Sequence, residues 1–196
     1  FQKLIQKVGL KQPKSDFSLG TKELIAKSSK LNFPILLRPS YVLGGRMMEK
    51  MNTLDDVQSY IDQNYWALEN NVILIDEFLK EAKEVDVDIL RDNDGNTMVA
   101  GIMEHIEEAG IHSGDSACCI PPFSLSNKVI ETIKKFSISL SQELNTIGLM
   151  NIQYAIKNED IYILEANPRA SRTIPFLAKA IGIPFIKIAA EIIAGK

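Results

Sequence analysis

The stretch "GLMNIQYAIKNEDIYILEANPRASR", Gly148–Arg172, decides how the chain is read. Two alternating apolar runs, "LMNIQYAIK" and "IYILEAN", flank a turn signal at Asn158–Asp160, and the pattern predicts an antiparallel hairpin. If the turn centres on Glu159, Gln153 on the outgoing strand lies opposite Glu165 on the return strand. Opposed residues share a face, and Asn167, two residues on, shares it too. An amide oxygen, a carboxylate and a second amide oxygen then converge. Such an oxygen-only set suits a hard cation such as Mg²⁺, which takes a few protein oxygens plus phosphate and water. No His or Cys lies close enough in sequence to suggest zinc. Arg169 and Arg172 follow, and guanidinium groups beside a metal-bound phosphate stabilise charge that grows during phosphoryl transfer. Taken alone, the stretch also fits a polar strand end with solvated arginines.

To either side, strands and helices interleave. Leu19–Leu31 has helical spacing, and "PILLRPS" reads as a buried strand ended by Arg38 and Pro39. A short strand is expected near Met47–Met51. Thr53 then caps a helix running to about Glu69, with Asp55 and Asp56 in its first turn. "NVILIDEFL" and "KEVDVDILRD" read as strands, the second alternating charged and apolar residues. A turn at Asn93–Gly95 leads to a third strand, "NTMVAGIMEHIEE". Ser126 opens a helix reaching about Thr146, and the chain closes in helix broken by Gly182 and Pro184. Most of the implied pairing is antiparallel, which argues an α+β fold and not a doubly wound one.

Three other segments carry polar groups suited to a nucleotide. In "RPSYVLGGR", Gly44 and Gly45 allow close backbone approach to an anion, flanked by Arg38 and Arg46. A plain hairpin turn fits equally, and neither GxxxxGK[ST] nor GxGxxG is matched. In "IDEFLKEAKEVDVD", the Glu77–Leu79 backbone could meet an adenine edge and Glu84 the ribose hydroxyls, or the acids could simply be solvated. In "HIEEAGIHSGDS", His112, Ser113 and Asp115 are too crowded in one loop for a catalytic triad. A glycine-hinged polar loop over a phosphate suits them better. His105, on a strand, reads as a structural histidine.

Composition sets the outer bounds. The 196 residues suffice for one or two domains, with 45% hydrophobic and 24% charged residues as in ordinary globular proteins. A net charge of −3 supplies no basic field for nucleic acid or anionic lipid. No apolar run approaches the roughly 18 residues that span a bilayer. The adjacent Cys118 and Cys119 form neither a disulfide framework nor a zinc pattern and read as small buried thiols in a reducing cytosol. Without an initiator Met, the chain reads as a piece of something longer.

Together, "RPSYVLGGR", "GIMEHIEEAGIHSGDSACCIPP", "GLMNIQYAIKN" and "LEANPRASRTIPF" resemble the large subunit of carbamoyl-phosphate synthase, in continuous order from about Lys11 to Lys196. "YVLGGR", "GIMEHIE" and "SAC" look like its second half, the one that phosphorylates carbamate. The resemblance implies an ATP-grasp fold: two α+β subdomains with mostly antiparallel sheets, here 1–75 and 76–196, gripping ATP. It implies that Arg38 contacts nucleotide phosphate, Glu77 and Leu79 the adenine edge, and Glu84 the ribose. Gly110, Ile111, His112 and Ser113 would form the nucleotide-side loop. Gln153, Glu165 and Asn167 would hold Mg²⁺ or Mn²⁺, with Arg172 and Arg169 near the transferred phosphate and K⁺ near Glu84 and His105.

The implied partners are ATP, carbamate, the remainder of the large subunit and a small glutaminase subunit, with no nucleic acid or membrane. The implied setting is cytoplasmic arginine and pyrimidine biosynthesis. One departure counts against activity of the isolated piece: a nucleotide-binding arginine expected just before Phe1 is not included. The rivals are another ATP-grasp ligase acting through an acyl phosphate, and a nucleotide-binding module inactive as a fragment.

Overall fold

The computed structural model describes residues 2–40, 47–109 and 116–196. The expectations for Gly44, Gly45, Arg46, Gly110, Ile111, His112, Ser113 and Asp115 lie outside the described residues. The chain divides into two compact units, Pro13–Lys80 and Phe1–Gln12 with Glu81–Lys196. The first residues join the later unit because helix α1 (Gln2–Val8) and the turn after it place Ile5 and Leu10 in that unit's apolar core.

Unit Pro13–Lys80 contains β1 (Ser15–Leu19), α2 (Leu24–Ser28), β2 (Ile35–Pro39), β3 (Glu49–Met51), α3 (Leu54–Leu68) and β4 (Val72–Glu77). Its sheet runs β1-β4-β2-β3, every pair antiparallel. The helix expected over Leu19–Leu31 shrinks to α2. Leu19 instead ends β1, where its pairing with Val72 of β4 overrides the local spacing. Gly20 makes the turn between β1 and α2 at φ +71; a Cβ there would meet the Glu69 carbonyl oxygen at 2.1 Å. Helix α3 begins as expected: Thr53 Oγ1 accepts from the Asp56 N–H, and the Asp56 carboxylate accepts from the Thr53 N–H.

The other unit contains α1, β5 (Lys83–Arg91), β6 (Thr97–Glu108), β7 (Cys118–Cys119), α4 (Asn127–Glu143), β8 (Gly148–Lys157), β9 (Asp160–Asn167), α5 (Ile174–Ile181) and α6 (Phe185–Ile193). Its antiparallel sheet runs β7-β6-β5-β8-β9. One face, carrying Val85, Val87, Ile152 and Tyr154, packs with α1 and with α4 through Val129, Ile133 and Leu140. Each such fully buried aliphatic side chain is worth about 1.5–3 kcal/mol. On the opposite face, Ile174 and Leu177 of α5 and Phe185 of α6 cover Leu90 and Leu149 at one end of the sheet. Farther along, that face carries the polar residues Glu84, Asp86, Asp88 and Asn151 beside Met103. Among the described residues, no helix is long and apolar enough to cross a membrane.

Candidate functional site

The hairpin β8–β9 closes through two residues, Asn158 and Glu159, at φ +51 and +67, so Lys157 pairs with Asp160. The turn centre therefore lies ahead of Glu159. Continued without interruption, that register would place Gln153 opposite Leu164. A bulge prevents this: Tyr154 faces Ile163, Gln153 faces Glu165, and Leu164 is the extra residue. Ile161 and Ile163 consequently face the apolar core, whereas Glu165 and Asn167 face the polar side. The expected opposition of Gln153 and Glu165 holds, through a bulge that the sequence does not announce.

Two transverse rows result. Asp86 of β5 is opposite Gln153, which is opposite Glu165; Asp88 is opposite Asn151, which is opposite Asn167. Gln153 and Asn167 are half-buried and Glu165 is exposed. Asn167 Nδ2 donates to Glu165 Oε1 at 2.8 Å, so these side chains already meet. The donor set of two amide oxygens and a carboxylate fits a hard divalent cation that keeps coordination positions for phosphate or water. Arg169 and Arg172 are exposed on the turn beyond β9. The Arg169 N–H donates to the Asn167 carbonyl at 2.8 Å and its Nη1 to the Ala170 carbonyl at 3.1 Å.

The polar side of β5 departs from its pattern. Alternating charge suggested a solvated face, yet Glu84, Asp86 and Asp88 are all buried. The Asp86 and Asp88 carboxylates are held by hydrogen bonds, as burial requires. His105 Nε2 lies 2.7 Å from Asp86 Oδ2. Asn151 Nδ2 donates to Asp86 Oδ1 at 3.0 Å and Asp88 Oδ1 at 3.1 Å, and Thr173 Oγ1 donates to Asp88 Oδ2 at 2.7 Å. Burial pushes the Asp88 carboxyl pKa up; the bonds from Thr173, Ser171 and Asn151 pull it back, and the Asp86 charge adds to the rise. For His105, burial acts downward, but the Asp86 hydrogen bond and the charges of Asp86, Glu84 and Glu107 produce a net rise. His105 is thus anchored on one nitrogen, while Nδ1 is buried without a partner among the described residues. Glu84, Asp86 and His105 each bring a ligand atom within 4.8 Å of one another.

Glu104, also buried, fastens the segment after β7. It accepts from the N–H groups of Phe123 and Ser124 at 3.0 and 2.9 Å, and from the Ser124 hydroxyl.

In unit Pro13–Lys80, Arg38 leaves β2 and pairs with Asp76, Nε and Nη2 lying 2.8 and 2.7 Å from Oδ2. The Glu77 carboxylate accepts from the backbone and side-chain amides of Asn32 at 2.8 and 2.9 Å. The N–H groups of Glu77 and Phe78 donate to Lys14 and Pro34 carbonyls. An adenine-edge role therefore rests on the Glu77 carbonyl and the N–H of half-buried Leu79. Asp86, Asp88, Asn151 and Thr173 were not singled out from sequence. The alternation of acids in "EVDVD" is a signal for Asp86 and Asp88 alone, and it fits solvated acids equally well.

The full chain, residues 1–196, matches the family described as "Carbamoyl-phosphate synthase L chain, ATP binding domain". The carbamoyl phosphate synthase large chain of Xanthomonas axonopodis pv. citri is 46% identical over 201 residues, taking in all of this chain and 19% of that protein. The large chain of Archaeoglobus fulgidus is 48% identical over 196 residues, again all of this chain and 18% of that one. The chain thus spans about a fifth of the curated relatives it matches. Among solved structures, the biotin carboxylase domain of Hydrogenobacter thermophilus 2-oxoglutarate carboxylase, in complex with MgADP, ADP and bicarbonate, superposes with TM-score 0.78 at 16% identity. The match covers 99% of this chain and 44% of that one. At that identity the likeness speaks to the fold: ATP-grasp, α+β, with two antiparallel sheets.

Proposed function

The chain belongs to the family of carbamoyl-phosphate synthase large-chain ATP-binding domains, and on that premise we propose that it phosphorylates carbamate at the expense of ATP within a longer large chain. The carbamate oxygen attacks the γ-phosphorus and releases carbamoyl phosphate and ADP, so no side chain has to act as nucleophile. The protein's part is positioning and charge neutralisation, as a loose transition state requires. Gln153, Glu165 and Asn167 hold Mg²⁺ or Mn²⁺, which when bound offsets charge on the phosphate oxygens. Arg172, assisted by Arg169, lies at the transferred phosphate. Arg38 serves nucleotide phosphate, Glu77 and Leu79 the adenine edge, Glu84 the ribose, and Glu84 with His105 a potassium ion.

The setting proposed is cytoplasmic, glutamine-dependent synthesis with a small glutaminase subunit, supplying arginine and pyrimidine pathways. The two ATP-grasp subdomains are proposed as residues 1–75 and 76–196.

The row Asp86–Gln153–Glu165, with Asn167 bonded to Glu165, carries the proposal. Its test is Glu165→Ala in the full-length enzyme, assayed by ATP formation from ADP and carbamoyl phosphate. A loss of about 10²-fold or more is expected from removing an electrostatic anchor of the phosphates. Wild-type rates in the variant would remove the metal role of this row.

A further inference from the structure

Thr173 stands at the N-cap of α5, where a threonine side chain ordinarily accepts from a first-turn N–H. It makes no such bond. Its hydroxyl donates to Asp88 Oδ2 at 2.7 Å instead. Ser171 does the capping, accepting from the Ile174 N–H at 3.1 Å, and its hydroxyl lies 2.8 Å from Thr173 Oγ1. The segment between Asn167 and Thr173 is therefore fastened at both ends: by the Arg169 N–H on the Asn167 carbonyl, and by Thr173 on the buried strand β5. Arg169 and Arg172 lie on the span between these fastenings.

The far fastening costs stability. Asp88 is 1% exposed, and burial disfavours its charged form. Packing does not depend on it, because Ile174 and Leu177 already dock α5 in the apolar cluster with Leu90 and Leu149. A buried carboxylate that the helix does not need for docking calls for another use. Its second acceptor, Oδ1, takes the Asn151 amide, whose strand neighbour on the other side is Asn167. One carboxylate thus orders both the second polar row and the start of α5.

We propose that Asp88 is a positioning residue for phosphoryl transfer, acting through Thr173 to fix the turn that presents Arg169 and Arg172. The proposal rests on the reading that these arginines act at the transferred phosphate. Misplacement of a reacting group by ~1 Å costs on the order of 10²-fold in rate. Because the arginines act where charge develops, loosening the turn lowers kcat more than it weakens nucleotide binding.

The test uses the full-length enzyme and the formation of ATP from MgADP and carbamoyl phosphate, with hydrogen exchange of β5 and α5 followed in parallel. Thr173→Val removes the donor at constant shape; Thr173→Ser keeps it. For Thr173→Val, kcat should fall about 10- to 100-fold with the KM for ADP within about threefold and α5 still protected. Thr173→Ser should recover kcat to within about threefold of wild type, and Asp88→Asn should resemble Thr173→Val. An active wild type whose Thr173→Val variant keeps its kcat, or whose Thr173→Ser variant is equally impaired, overturns this inference alone. Loss of α5 protection in parallel with kcat also overturns it, since the bond would then be holding the helix. A wild type that forms no ATP overturns the phosphotransfer reading as well.

Discussion

Gly101 of β6 lies opposite Asp88 and directly beneath α5. A Cβ built at Gly101 would stand 2.4 Å from Leu177 Cδ1, 2.9 Å from Leu177 Cδ2 and 3.1 Å from Ile120 Cδ1. Carbon atoms rest at roughly 3.5–4.0 Å, so the nearest approach is about 1 Å too close. Leu177 is fully buried, so moving its methyls aside displaces packed neighbours in turn. Gly101→Ala should therefore cost about 1–3 kcal/mol in overpacking, less about 0.4–1 kcal/mol regained from a stiffer unfolded chain. A net destabilisation of about 1–2 kcal/mol is expected, confined to the sheet that carries α5.

The probe matters. The sole tryptophan, Trp66, is on α3 in the other unit and would not report the loss. Peptide-resolved hydrogen exchange should show faster opening of β5, β6 and α5 with α3 unchanged. Leu177→Ala alone should cost about 2–5 kcal/mol, and adding Gly101→Ala to it should cost almost nothing more. Unchanged protection in Gly101→Ala, or full additivity in the double variant, would refute the close-approach argument.

Tyr154 is fully buried with its hydroxyl 3.0 Å from Ser137 Oγ, and burial raises its pKa despite that hydrogen bond. The folded state therefore keeps a proton that the unfolded state releases above about pH 10, so stability is full below that value and declines as pH rises. Tyr154→Phe should cost about 1 kcal/mol at pH 8, and its deficit against wild type in urea midpoint should shrink between pH 10 and 11. A constant deficit would contradict the titration. Thr53→Ala should remove about 1 kcal/mol from α3, visible as faster peptide-resolved hydrogen exchange of that helix, while Thr53→Ser should hold the capping box. Equal stability of the two variants would argue against the cap.

Elements with self-contained signals were legible from the sequence. Thr53 and Ser126 cap α3 and α4 as their composition suggests, and the Asn93–Gly95 turn joins β5 to β6. A turn centred on Glu159 pairs Gln153 with Glu165, and the chain reaches the same pairing by another route, a turn at Asn158 and Glu159 followed by a bulge. What failed depended on distant partners. Leu19, expected to open a helix, ends a strand because Val72 of β4 lies beside it, and the acids of "EVDVD" are buried because Asn151, His105 and Thr173 reach them from 19 to 85 residues away. No local pattern encodes a satisfied buried carboxylate; the same residues spell a wetted strand until their partners are known.

Leu164 illustrates a constraint of a different kind. By standing unmatched in the ladder it works like a dislocation in a lattice, reversing the parity of everything after it. The odd-numbered residues before it line an oily wall, and those after it point to the opposite side. One strand is thereby divided between two trades. At this point the chain is held to its length more than to its side-chain chemistry: another residue could replace leucine there, but none could be omitted without turning Glu165 inward.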